Sequence, residues 1–221
     1  MENSATHIKR RSFIKDTTTL TAGLAGFLLY THKDSGKKYP DEGIHVIGPK
    51  EGFSPQIGTL VSMMNWMRMV ILRPVANMTG EQLDYLHDPK SNTIGAMLLH
   101  LAATERYYQL HTFEGKKWGS WDDTIKKQWD TPMSLGEPAR KTIKGNNLDY
   151  YLNTLKEVRE KTMQEFKKRD DKWLMAIDKE WPWGPTNNYC KWFHVCEHES
   201  NHNGQIKWIK SRLPGAKEGN D

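Results

Sequence analysis

Among 221 residues there are only two cysteines, Cys190 and Cys196, so no disulfide framework carries this fold. A bridge between them would close a short loop, and two cysteines in one regular helix point to different sides; a free pair is expected. No stretch shows the apolar and polar alternation of a half-buried strand, and internal repeats and low-complexity tracts are missing, which leaves helices as the building material. No run reaches the roughly 20 apolar residues needed to span a bilayer, so the mature domain should have no membrane span. Excess charge is scarce as well. The formal net charge is +5, but residues 1–38 hold seven Lys/Arg against Glu2, Asp16 and Asp34. The remainder is close to neutral and offers no electrostatic footprint for nucleic acid.

That basic N-terminal segment has an order of its own. Arg10 and Arg11 precede Ser12, Phe13, Ile14 and Lys15, and a weakly apolar run follows from about Thr17 to Tyr30. The arrangement resembles a twin-arginine export signal, which implies a periplasmic protein exported already folded, often with its cofactor loaded. No clean small-x-small cleavage site follows, so both removal and retention as a tether stay open. The chain divides into a leader and linker at 1–38, a helical domain at 50–215 and a polar tail at 216–221.

Four segments carry helical periodicity. The first opens with Ser54 as N-cap and Pro55 in the first turn and closes at Pro74; its methionines read as core filler. The second, "SNTIGAMLLHLAATERYYQLHTF", takes Ser91 or Asn92 as its cap. The third runs from Asn147 to about Leu174, the fourth from about Asn188 to Arg212. A long connection over about 112–146 separates the second and third and holds a short helix at "SWDDTIKKQWD", with Ser120 as cap. The expected fold is all-α, a four-helix bundle with one long crossover between helices two and three.

On a helical wheel Val195, His198, His202, Ile206, Ile209 and Leu213 share an arc about 80° wide, so two histidines sit in the stripe that faces the core. Burying imidazoles costs free energy unless their nitrogens find partners. Four residues apart on one helix, the two rings can share a metal ion, and a third ligand must come from another helix. His100 lies in a helical, largely apolar segment, at the edge of its stripe; that position suits a ligand reaching across a groove and equally an interfacial residue. His194 falls at the rim of the stripe. His7, His32, His45, His87 and His111 fall in loops, termini or helix ends and read as solvated.

His198-Glu199-Ser200-Asn201-His202 spells H-E-x-x-H, and His194 to His198 spells the inverse, H-x-x-E-H; both occur in zinc peptidases. The context excludes a peptidase. Gly204 comes one position early and Trp208 stands where a third histidine belongs. Only Glu218 follows as a downstream glutamate, in the polar tail, and no substrate-binding strand pattern lies upstream.

"SNTIGAMLLHLAATERYY" together with "WFHVCEHESNHNGQIKWIKSRLPG" resembles the DinB-like superfamily of metal-binding four-helix bundles, over about Pro55 to Gly215. The resemblance implies one divalent ion, zinc or nickel, held by His100, His198 and His202. It also implies thiol or other group transfer, or hydrolysis, on a small molecule that the sequence does not specify. Asn201 and Asn203 depart from the family pattern, which has His and Arg there. Beside such an ion, Glu199 is the candidate base or ligand-orienting partner. Glu105 is either a buried carboxylate orienting a ligand or a snorkelling edge residue. Gln205 is a candidate hydrogen-bond partner, and Trp181 and Trp183 either form an apolar mouth or serve as packing. A homodimer is compatible with this reading. The alternative is a non-catalytic metal-binding bundle serving stability, storage or sensing.

Overall fold

The computed structural model describes residues 43–217; the leader and most of the tail lie outside the described residues. Four long helices build the domain: α1 (Pro55–Val75), α3 (Ile94–Thr112), α6 (Leu148–Phe166) and α8 (Asn188–Lys210). Shorter pieces join them: α2 (Gly80–Leu83), α4 (Asp123–Ser134), α5 (Gly136–Thr142) and α7 (Asp171–Met175). A minimal antiparallel ribbon, β1 (Ile177–Asp178) with β2 (Thr186–Asn187), precedes α8. Helix α3 packs against α6, α8 and α4, and α1 packs against α8. The all-α bundle and its crossover are therefore as expected, and among the described residues no helix is long and apolar enough to cross a membrane.

Side-chain caps explain several of the boundaries and correct others. Helix α3 starts at Thr93, whose side chain accepts from the Ala96 N–H at 3.1 Å. The expected caps do other things: Asn92 Oδ1 accepts from Gly136 N–H at 3.2 Å, and Ser91 belongs to a turn with Asp88. Helix α4 is capped by Asp122, not Ser120, and runs on through Pro132. Helix α6 starts where expected, with Asn147 as its cap, but it ends at Phe166 and not near Leu174, because Asp170 offers an acceptor to Trp173 N–H at 2.8 Å and starts α7 instead. Ser54 makes no cap bond of its own. Its hydroxyl donates to Asp171 Oδ1 at 2.5 Å, and that same oxygen accepts from the Gln56 and Ile57 N–H groups at 3.0 and 3.3 Å. A carboxylate from α7 thus caps α1.

Helices α3 and α6 approach closely at Gly95, where a β-carbon would sit 2.6 Å from the Tyr151 hydroxyl. The core then divides in two. One apolar cluster includes Ile71, Val75, Leu98, Leu101, Leu155, Val158 and Ile206. The other includes Ile57, Leu60, Met64, Tyr108, Phe166, Trp192 and Val195. Each long helix also contributes a buried charged residue to the middle of the core: Arg68 on α1, Glu105 on α3, Arg159 on α6 and Glu199 on α8; on α1, α6 and α8 that residue lies between the helix's contributions to the two clusters.

These four form one ion-paired layer. Arg68 donates from Nε and Nη2 to Glu199 Oε1 at 2.9 and 2.7 Å and from Nη2 to Glu105 Oε2 at 2.9 Å. Arg159 donates to Glu105 Oε1 and Glu199 Oε1, each at 2.8 Å. The remaining guanidinium nitrogens reach the Leu155 and Met64 carbonyls at 2.9 and 3.0 Å, and Thr162 Oγ1 donates to Glu105 Oε1 at 2.6 Å. Burial alone would raise the Glu105 pKa, but Arg159 and Arg68, with the Thr162 hydrogen bond, hold it below the usual carboxylate value.

Removing one member of such a layer strands a charge in the core. Glu105→Ala is expected to cost about 3–5 kcal/mol, against about 1–2 kcal/mol for Asp171→Ala, which removes a cap. Urea denaturation of the two variants beside the native sequence checks the order.

Candidate metal centre

His198 and His202 stand one turn apart on α8, and His100 faces them from α3. The three ring centroids are separated by 5.0 Å (His100 to His198), 4.9 Å (His100 to His202) and 4.6 Å (His198 to His202). One nitrogen from each ring can be chosen so that all three lie within 4.8 Å of one another, a group able to hold a metal ion. His100 is buried, on a helix that its neighbours enclose almost completely.

The orientation of His100 comes from a residue that sequence reading passed over. The carbonyl of Pro132 lies 3.0 Å from His100 Nδ1. A carbonyl only accepts, so Nδ1 carries the proton and the Nε2 lone pair faces α8. That carbonyl is available because Pro132 is in the last turn of α4, where carbonyls have no partner within the helix. His100 Nε2 then lies 2.9 Å from His198 Nε2, a separation that suits two nitrogens bonded to one ion at about 2.0–2.1 Å each. His202 Nδ1 is buried without a partner. Three imidazoles with lone pairs converging, one locked through its far nitrogen, fit a borderline divalent ion.

Burial keeps the rings neutral, as metal ligation requires. It pushes the His198 pKa down to about 3, helped by the nearness of His202, His100 and His194. It pushes His202 down to about 4, with His100 adding to the effect and Gln205 opposing it. His100 is lowered too, the backbone hydrogen bonds at Pro132 and Met133 offsetting part of the burial.

The other candidate residues separate. Glu199 is buried beside the ligand pair, but its Oε1 accepts from three guanidinium N–H groups, and only Oε2, buried and unpartnered, remains. Glu105 is fully enclosed rather than snorkelling, and both its oxygens go to the layer of arginines. Gln205 is exposed, donates to Asn201 Oδ1 at 3.2 Å and lies against His202. Trp181 is 4% exposed and packs among Tyr108, His111 and Trp118, whereas Trp183 is 57% exposed and meets His194 edge-on at 5.1 Å. Of the two tryptophans, Trp183 is the one at the surface near the centre, through His194, whose ring is 5.3 Å from His198.

The mycothiol-S-transferase family matches residues 59–215. The chain belongs to that family. It is a DinB-like family, and the match encloses the three histidines and all four residues of the charged layer. No curated protein matches the chain. Within this mycothiol-S-transferase domain, Arg68 and Arg159 were missed from sequence, as Pro132 was. For the two arginines a signal was present: each lies in an apolar stripe, Arg68 between Met64 and Ile71, Arg159 between Leu155 and Phe166.

His111 departs from the solvated reading. Its Nδ1 lies 2.9 Å from the Lys116 carbonyl and its Nε2 lies 2.9 Å from the ammonium of buried Lys191, which pairs with Asp178 at 2.7 Å. These contacts tie α3, α8 and β1 together and place the loop that carries Trp181 and Trp183. Cys190 and Cys196 are both free thiols.

In unfolded chain the histidines titrate near their ordinary value of about 6.5, so below it the unfolded state binds more protons than the folded one. The stability of metal-free protein is present above that pH and is lost as pH falls toward the folded values of about 3 and 4. Thermal unfolding with chelator between pH 7.5 and 5 should show a midpoint that drops with acidification. The dependence should be flatter in a His198→Gln/His202→Gln double variant.

Proposed function

We propose that this protein is a divalent-metal-dependent S-transferase, exported to the periplasm, that joins a thiol to a small electrophilic substrate. The observation that carries the reading is the convergence of His100, His198 and His202 from two helices, in a chain that belongs to the mycothiol-S-transferase family. Zinc and nickel are among the ions that suit three imidazole donors. A divalent ion there supplies positive charge that favours the ionised form of a thiol or water brought to it.

The chain's own residues supply the rest. Three histidines leave coordination positions for a substrate atom, where a structural zinc site closes with four protein ligands. Pro132 holds the His100 tautomer. Arg68 and Arg159 fix Glu199 by one oxygen and leave Oε2 without a partner, the atom with which Glu199 would take a substrate proton. Trp183 and His194 give the centre an aromatic flank that suits an apolar substrate. Export rests on Arg10 and Arg11 with the apolar run behind them.

Elemental analysis should find a stoichiometric divalent ion in the native protein and its loss in His202→Ala. Transfer assays with a panel of thiols and electrophiles should show turnover that disappears with His100→Ala. Glu199→Gln should lose about 10–100-fold in metal affinity or rate. Bound metal without turnover across the panel would leave the non-catalytic metal-binding bundle as the reading.

A further inference from the structure

Beside the three histidines lies a groove of about 510 Å³ between the start of α3 and the end of α8, lined by Lys90, Asn92, Met97, Gly204, Gln205 and Trp208 among others. Its volume falls within the range of about 300–1,000 Å³ typical of small-molecule sites. Its place in the fold is what matters. Met97 precedes His100 by one helical turn on α3, and Gln205 follows His202 by one turn on α8, where it touches that ring. The groove therefore begins about one turn, roughly 5 Å along each helix, from both sets of candidate ligands.

The rim is basic. The Lys90 side chain is exposed at one wall, and among the described residues its ammonium has no ion-pair partner. Arg140 approaches the same loop, with Nη1 3.4 Å from the Lys90 and Ser91 carbonyls. Across the groove the Arg212 guanidinium lies 3.9 Å from the Trp208 ring centre. Asp88 stands beside Lys90, and its Oδ1 accepts from the Lys90 and Ser91 backbone N–H groups at 2.8 and 3.0 Å, while Glu137, next to Gly136, pairs with Lys141 at 2.5 Å. Two amide side chains complete the lining. Asn92 engages its carbonyl oxygen with Gly136 N–H, which leaves its amide N–H₂ as a donor. Gly204 opens the floor: a β-carbon there would meet nothing within 4 Å.

We infer that this groove holds the body of the thiol substrate, and that the thiol it selects carries carboxylate groups. The inference rests on the S-transferase reading for the word thiol and on the groove itself for the anionic body. Lys90 and the neighbouring guanidiniums attract the carboxylates, the Asn92 and Gln205 amides bond its polar backbone, and the Trp208 ring, packed against Arg212 and His87, closes one wall. The sulfur, one turn away, reaches the three-histidine centre. The apolar substrate is left to the opposite flank at Trp183 and His194.

Cobalt-loaded full-length protein tests this without turnover, because a thiolate that reaches the ion produces a near-ultraviolet charge-transfer band. Titrated with glutathione and with 2-mercaptoethanol, the native protein should saturate with glutathione at a concentration at least tenfold lower. Lys90→Glu and Gly204→Leu, which fills the floor, should each raise the glutathione midpoint at least fivefold and leave cobalt content and the 2-mercaptoethanol midpoint unchanged. Equal midpoints for the two thiols in the native protein, or variants that move both thiols alike or neither, would overturn the assignment. Calorimetric titration with S-methylglutathione, which keeps both carboxylates and has no free thiol, separates the two ideas. Binding that Lys90→Glu abolishes, with no thiol reaching the cobalt, would sink the S-transferase reading and with it the word thiol, leaving an anion groove. Thiols that reach the cobalt without any binding of S-methylglutathione would sink the groove and leave the transferase reading intact.

Discussion

Two arginines and two glutamates, one from each long helix, meet in the middle of the core and neutralise one another. Ion pairs of this kind contribute little net stability against a well-packed apolar layer, because four charges have to be taken out of water. They are, however, directional. Sliding any helix by a turn would leave a guanidinium or carboxylate buried without its partner, while neighbouring leucines and methionines would tolerate the shift far better. The layer is therefore the contact that sets the register of the bundle. Everything at the candidate metal centre depends on that register, since His100 faces His198 and His202 only if α3 and α8 are held at one particular height.

Glu199 links the layer to the centre, because it lies in the sequence between the two α8 histidines. The arginines grip one of its oxygens, and that grip fixes the stretch of α8 that carries both rings. A second support comes from the crossover: the last turn of α4 presents a carbonyl that its own helix cannot use, and His100 takes it. Enclosure by these neighbours desolvates the imidazoles and keeps them unprotonated. The same burial that costs the metal-free protein stability in mild acid prepares the nitrogens to bind a cation.

How much of this could be read from the chain follows from which interactions are local. The pair His198 and His202 was legible because helical periodicity alone puts both on the apolar face, and the start of α6 was legible because Asn147 is a side-chain cap within three residues of the N–H it accepts from. Ser54 was legible as the N-cap position of α1, but the carboxylate that accepts there was not, since Asp171 reaches it from more than a hundred residues away. Helix α3 was placed one or two residues early because Ser91, Asn92 and Thr93 all have cap chemistry, and tertiary contacts engage the first two elsewhere. The end of α6 was overrun because its apolar pattern continues across the break that Asp170 imposes.

The sequence by itself determined the kinds of element and the faces they bury, down to the two histidines on α8 and their candidate partner on α3, since period, caps and spacing act over a few residues. Only the tertiary structure decided that Arg68, Glu105, Arg159 and Glu199 are one object, that Pro132 orients His100, and that a basic groove begins one turn from the centre. The physical reason is that each of these joins groups distant along the chain. A charge on an apolar stripe looks the same in sequence whether its partner waits across the core or is water.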